Sequence, residues 1–185
     1  AANRRWAEAI RHRWKKEGGG EVGTVPLGID GEQLMEGRAT GECRDPSQPG
    51  VLLGHYVWAH AEDARRALAA AAADADGWRS LDGRQRRKVL ARAAAEIRAV
   101  RSDLIGAAMA ETGKTCAEAD AEVSEAVDFT ELYPWATSHF ETLPNVRICG
   151  QGTALVIAPW NFPIAIPCGG IAAALAAGNT VIFKP

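Results

Sequence analysis

Apolar positions along the chain change their spacing three times, and each change predicts a different kind of element. In the opening stretch Trp6, Ile10 and Trp14 recur every fourth residue, one face of a short amphipathic helix, and Gly18, Gly19 and Gly20 follow as its stop and a flexible joint. From Val25 to Pro49 the chain is polar and rich in glycine and proline. Asp30-Gly31 has the composition of a tight hairpin turn and Leu52–Trp58 (LLGHYVW) reads as a strand, so small antiparallel strands are expected here.

Beyond Ala61 the spacing becomes helical. Ala61–Asp76 is built from strong helix formers and meets Gly77 as a stop. A second helix opens at Asp82 with Gln85 three residues later, a capping-box spacing in which each side chain serves the other's backbone amide. A third runs from about Ser102 to Gly113, and a fourth opens at Thr115 with Glu118, again a capping box. Within it Val123, Ala126, Val127 and Thr130 share one face and mark a core.

The last stretch alternates short β-branched runs with a helix. Thr153–Ala158 (TALVIA) and Thr180–Phe183 (TVIF) read as strands, and Pro163–Ala177 as the helix between them, ended by Gly178. That is a βαβ unit, whose strands pair in parallel through a right-handed crossover. The expected fold class is therefore α/β, with a helical region followed by the first βαβ of a doubly wound parallel sheet. Two parallel strands are too few for a stable sheet, so the sequence reads as the amino-terminal part of something larger. The expected organisation is a helix and glycine linker over 1–20, a small β region over 21–60, helices over 61–144, and a hairpin leading into a truncated nucleotide-binding domain over 145–185.

Composition narrows the function classes. The 185 residues include 21 basic and 23 acidic side chains, a net charge of −2 that offers no general attraction to nucleic acid or an anionic membrane. Cys43, Cys116, Cys149 and Cys168 form no C-x-x-C pair, and His12, His55, His60 and His139 are scattered, so no metal site is expected. Free thiols without a signal-type leader fit a reducing, cytoplasmic setting. No charged residue occurs between Arg147 and Lys184, which invites a membrane reading. Pro159, Pro163, Pro167, Gly169, Gly170 and Gly178 interrupt that run, and a buried βαβ unit without an integral membrane segment is the expectation.

In open parallel sheets ligands bind beyond the carboxyl ends of the strands. Two polar groups stand there in an otherwise charge-free stretch: Asn161 in the turn Pro159-Trp160-Asn161-Phe162-Pro163, and Lys184 at the end of the second strand. Asn161 offers an NH₂ donor to a developing oxyanion, and Lys184 offers donors to the hydroxyls or phosphates of a nucleotide. Spacing alone weighs equally for a plainer reading, in which Asn161 caps the helix starting at Pro163 and Lys184 is a solvated strand end. Of the cysteines, Cys168 is expected as an inert buried thiol inside the helix. Cys43, Cys116 and Cys149 are expected in loop, helix-start and strand settings, and none has an identifiable base beside it in sequence; a helix end can favour a thiolate at Cys116, but inert thiols are the expectation for all four.

PWNFP at Pro159–Pro163, AGNTVIFKP at Ala177–Pro185 and the preceding ETGKT at Glu111–Thr115 resemble the motifs of the aldehyde dehydrogenase superfamily. VSEAVDFTELYPWA, APWNFPIAIPCGGIAAALAAGNTV and the opening AANRRWAE are similar, within it, to the delta-1-pyrroline-5-carboxylate dehydrogenase part of bifunctional proline utilization proteins. The resemblance implies NAD-dependent oxidation of an aldehyde, L-glutamate gamma-semialdehyde, to a carboxylate through a thiohemiacetal and a thioester. It gives Asn161 the oxyanion and Lys184 the adenosine ribose. It places the backbone of Ile157, Ala158, Pro159 and Trp160 along NAD, and Glu125 and Phe162 toward the aldehyde substrate. A core phenylalanine and a solvated glutamate are the plainer alternatives for those two.

The family's nucleophilic cysteine, general-base glutamate and pyrophosphate-cradling glycine turn fall after its FKP motif, so 185 residues ending at Pro185 are expected to be inactive alone. A homo-oligomer is expected, and a proline dehydrogenase domain fused upstream is compatible with the opening residues. Arg147–Thr153 reads equally as an ordinary hairpin or as an arm pairing between subunits. Two other readings stay open: a non-catalytic nucleotide-binding or oligomerisation module, and an aldehyde dehydrogenase for a different semialdehyde.

Overall fold

The computed structural model describes residues 2–14 and 22–185. The Gly18–Gly20 joint lies outside the described residues. The chain groups into two compact units, residues 1–67 with 102–120 and residues 68–101 with 121–185.

In the first unit the amphipathic pattern gives α1 (Ala2–Trp14), with Ile10 buried and the Trp6 indole donating to the Ser102 hydroxyl at 3.3 Å. Five short strands follow: β1 (Thr24–Val25), β2 (Leu27–Ile29), β3 (Glu32–Leu34), β4 (Thr40–Arg44) and β5 (Leu52–Val57). Strands β2 and β3 form the expected hairpin. Asp30 and Gly31 between them both take positive φ, 53° and 75°, the mirror-image turn that matches strand twist. β4 pairs antiparallel with β5, whereas β1 pairs with β5 in parallel, against the expectation of antiparallel strands only. A two-residue strand carries no pattern from which its direction could be read.

Cys43 lies in β4 rather than in a loop. Buried Asp63 sits in the first turn of α2 (Ala61–Ala73) and accepts a forked pair of bonds from Arg38, at 2.6 and 3.1 Å, and the His60 amide at 2.8 Å. Helix α2 stops before Asp76 and Gly77 because Asp74, at φ 50°, turns its carboxylate onto the amides of Trp78 and Arg79 at 3.0 Å each. Helix α4 (Arg101–Thr112) ends as expected at Gly113, whose φ of 70° is the left-handed conformation that closes a helix.

The second unit contains a short 3₁₀ turn (Trp78–Ser80) and α3 (Gly83–Ala99), which opens on the Asp82–Gln85 capping box with both reciprocal bonds formed. Helix α5 (Cys116–Phe140) opens on the Thr115–Glu118 box. Val123, Ala126, Val127 and Thr130 are all buried on its inner face. Full burial of a side chain such as Val123 contributes about 1.5–3 kcal/mol.

The βαβ unit forms as β6 (Thr153–Ile157), α6 (Ala165–Ala176) and β7 (Thr180–Lys184), with the strands parallel in a register running from Thr153 opposite Thr180 to Ile157 opposite Lys184. Two adjacent glycines let α6 approach both neighbours. A Cβ on Gly170 would stand 3.0 Å from the Val156 side chain of β6, and one on Gly169 would stand 3.0 Å from the Phe129 ring of α5. The hairpin expected at 147–153 does not form: residues 146–151 carry no strand, and Cys149 is in irregular backbone. Instead, Gly150 passes so close to Gly178 that a Cβ there would collide with its carbonyl oxygen. Among the described residues no helix is long and apolar enough to cross a membrane.

Candidate active site

The site is framed by the carboxyl ends of β6 and β7. Because Ile157 pairs with Lys184 in a parallel ladder, the turn following β6 and the end of β7 occur at the same edge, one strand spacing of roughly 4.8 Å apart in the pairing direction. Successive side chains of β6 alternate. Ala154 and Val156 are half-buried toward α6, whereas Leu155 and Ile157 are 60% and 62% exposed on the other face. Past Ile157 the backbone turns at Ala158-Pro159-Trp160-Asn161 without joining a sheet, and Trp160 stands 78% exposed. Asn161 and Lys184 are both exposed at this edge, and the Lys184 ammonium donates to the Pro185 carbonyl at 2.6 Å. Phe162 is 39% exposed.

The two readings of Asn161 separate at the start of α6. The helix begins at Ala165, two residues beyond the expected Pro163, and its N-cap position is Ile164, with no side-chain cap of its own. The first amides are served from another helix. Glu122 of α5, 1% exposed, accepts from the Ile164 N–H at 2.8 Å and from the Ala165 N–H at 3.2 Å through one carboxylate oxygen. Asn161 therefore does not cap α6, and its amide makes no hydrogen bond to the described residues. The side-chain donor that capping would have consumed is available at the sheet edge. Glu125, three residues after Glu122 and so on the adjoining part of the α5 surface, is exposed.

The far end of α6 is fixed as firmly. Its last carbonyls are taken by the Trp78 indole, which donates to Leu175 at 3.1 Å, and by the buried Arg86 guanidinium, which donates to Ala176 at 3.1 Å and also to the Leu81 carbonyl. A cation at this position also complements the negative end of the helix dipole. Asn179 accepts the amides of Gln151 and Gly152 at 2.6 and 3.1 Å while donating to the Ala174 carbonyl at 3.1 Å, tying the helix exit to the entry of β6. Gly178, at φ 90°, leaves room for Arg86, whose nearest nitrogen would be 3.2 Å from a Cβ there. The AGNT part of the motif is thus an architectural joint, and Asn161 and Lys184 are the polar groups it leaves facing outward. Sequence reasoning missed Glu122, Arg86 and Trp78; an acidic residue on the buried face of α5 was the one available signal for Glu122.

The donor set suits a nucleotide in part. Exposed Lys184 and Asn161 present hydrogen-bond donor groups beside exposed apolar surface at Ile157 and Trp160, a combination fitted to sugar hydroxyls and a heterocycle. The amino-terminal turn of α6, which in a simple dinucleotide fold would hold the pyrophosphate, is closed by the Glu122 carboxylate. No group of three or more potential metal ligands occurs among the described residues.

At two of the cysteines the surroundings work against a thiolate. Cys43 does have a carboxylate beside it, Glu111 at 3.8 Å, brought there by the fold; burial, together with that negative charge, pushes the thiol up. Burial and the Glu122 charge push Cys168 up as well. Cys116 is buried at the start of α5. A shallow hollow of about 450 Å³ between α3 and α5 is lined by Arg87, Thr130, Glu131, Pro134 and Trp135, and contains none of the candidate catalytic, cofactor or substrate residues.

A sequence profile described as "Aldehyde dehydrogenase family" matches residues 35–185. The chain is 34% identical over 168 residues to an alpha-ketoglutarate semialdehyde dehydrogenase of Haloferax volcanii, covering 85% of this chain and 35% of that protein. It is 39% identical over 141 residues to the bifunctional protein PutA of Escherichia coli, covering 76% of this chain and 10% of that one. A crystal structure of 1-pyrroline-5-carboxylate dehydrogenase from Thermus with bound NAD superposes with a TM-score of 0.88 at 33% identity, over 100% of this chain and 37% of that one. The chain thus spans about a third of the length of its single-function relatives and a tenth of the bifunctional one.

Proposed function

The chain belongs to the aldehyde dehydrogenase family, and from that premise we propose that it is the amino-terminal part of an NAD-dependent enzyme that oxidises L-glutamate gamma-semialdehyde to L-glutamate. The observation that carries this reading is that Asn161, freed from helix capping by Glu122, shares the carboxyl edge of the β6–β7 pair with Lys184.

In this reading bound NAD would supply the hydride acceptor for the former aldehyde carbon once a thiolate has added to it. Lys184 donates to the hydroxyls of the cofactor's adenosine ribose, and the backbone from Ile157 to Trp160 borders it. Because Glu122 closes the amino-terminal turn of α6, the phosphates are left to other groups. When a thiolate attacks the aldehyde, negative charge gathers on the former carbonyl oxygen, and the Asn161 NH₂ is the donor for that charge. The nucleophile is not among this chain's cysteines. Phe162, in the turn that carries Asn161, and exposed Glu125 of α5 face the aldehyde in this reading.

The similarity to PutA and to the Thermus enzyme supports glutamate semialdehyde, and a PutA-like fusion to a proline dehydrogenase domain accords with it. The similarity to the Haloferax relative supports a second reading, in which the same machinery oxidises a different semialdehyde. The test is a kcat/KM comparison across aldehydes with the full-length enzyme that carries this chain. Glutamate semialdehyde is expected to lead alpha-ketoglutarate semialdehyde and simple aliphatic aldehydes. A lead for another aldehyde rejects the substrate, and no NAD reduction with any of them rejects the reading.

A further inference from the structure

We propose that Glu122 is the positioning residue for Asn161, its carboxylate fixing the Pro159–Pro163 turn by holding the two amides where that turn becomes α6. The proposal rests on the reading of Asn161 as the oxyanion donor.

A carboxylate that is 1% exposed is costly to bury unless its charge is answered. Glu122 is answered by the Ile164 and Ala165 N–H groups, at 2.8 and 3.2 Å, and by the positive end of the α6 dipole. Because Ile164 has no side-chain cap of its own, these bonds set where the helix begins. Only Phe162 and Pro163 separate Ile164 from Asn161, and the proline ring fixes one of the intervening torsions, so displacement at Ile164 passes on to Asn161. The turn is held on its other side by the pairing of Ile157 with Lys184. The Asn161 amide makes no hydrogen bond to the described residues, so its aim depends on the backbone that carries it. Catalytic donors tolerate little misplacement; an error of about 1 Å costs on the order of 10²-fold in rate.

The test is a double-mutant cycle in the full-length enzyme, with kcat counted per folded molecule and NAD affinity measured separately. Glu122→Ala is expected to lower kcat by about 10–100-fold with little change in NAD affinity. Glu122→Gln, whose amide oxygen can accept the same two N–H groups, is expected to restore most of the rate. In an Asn161→Ala background Glu122→Ala is expected to cost no further kcat, because its effect runs through Asn161. Should Glu122→Ala not fold, Glu122→Asp, one methylene too short to reach both amides, takes its place in the same cycle. Additive losses, or a wild-type kcat in the Glu122 variant beside a deficient Asn161→Ala, overturn the positioning role alone. A wild-type kcat in Asn161→Ala overturns the oxyanion reading beneath it.

Discussion

Glu122 accepts the backbone N–H of Ile164, 42 residues further along the chain, at 2.8 Å, and this bond decides what Asn161 is free to do. Asparagine two residues before a helix-leading proline is among the best local capping signals, yet the helix starts later and its first amides are satisfied from α5. The consequence is chemical: an exposed side-chain amide, not engaged in capping, follows β6 at the edge where Lys184 also ends β7.

Arg86 is the counterpart at the other end of α6. It is buried and bonded to the carbonyls of Ala176 and Leu81, so removing it strands acceptors away from water. Arg86→Met is expected to destabilise the fold by about 1.5–3 kcal/mol, the worth of hydrogen bonds to a charged group. Thermal unfolding of the variant checks this, and a melting temperature equal to the parent's would show that the α6 carbonyls find other partners.

Stability should depend on pH through Asp63. The Arg38 guanidinium, with the His60 amide, holds its carboxyl at about 2, below the ordinary value of about 3.9 for an aspartate in an unfolded chain. A group depressed in the folded state stabilises fully above the unfolded value, and that stability is lost as pH falls through the folded one. Melting temperatures of the parent and Asp63→Asn should therefore differ above about pH 4 and converge toward pH 2. A gap that stays constant across that window would exclude the Arg38–Asp63 pair as its source.

Lys184→Ala is expected to weaken NAD binding while leaving kcat at saturating cofactor nearly unchanged, because a contact remote from the reacting carbon acts equally in ground and transition states. Titration of NAD against the full-length variant, together with saturating-cofactor rates, checks it. A loss confined to kcat would remove Lys184 from the ribose.

What the sequence displayed and what it hid divide by reach along the chain. The Asp82–Gln85 and Thr115–Glu118 boxes, the Asp30-Gly31 hairpin and the β6–α6–β7 unit are each encoded within a few residues or by one spacing pattern, and all form. Glu122 with Ile164, Arg86 with Ala176, and Arg38 with Asp63 are 42, 90 and 25 residues apart, and no periodicity announces them. The displaced start of α6 follows from the first of these, since a cap delivered by another helix overrides the local asparagine–proline signal. The 147–153 stretch misled for a similar reason. Its glycines suggest a turn between strands, but they serve a close approach to Gly178 and the amide bonds to Asn179.

The most direct test of the central claim is Asn161→Ala in the full-length enzyme, with kcat, NAD affinity and melting temperature measured on the same preparation. Losing one preorganised oxyanion donor costs about 10²–10³ in kcat, or about 2.7–4 kcal/mol of transition-state stabilisation. A fall of that size is expected, with NAD affinity and melting temperature close to the parent's, because Glu122 and not Asn161 holds the start of α6. A variant that melts lower by the equivalent of a lost helix cap, about 0.5–2 kcal/mol, but turns over at the parent's rate would contradict it.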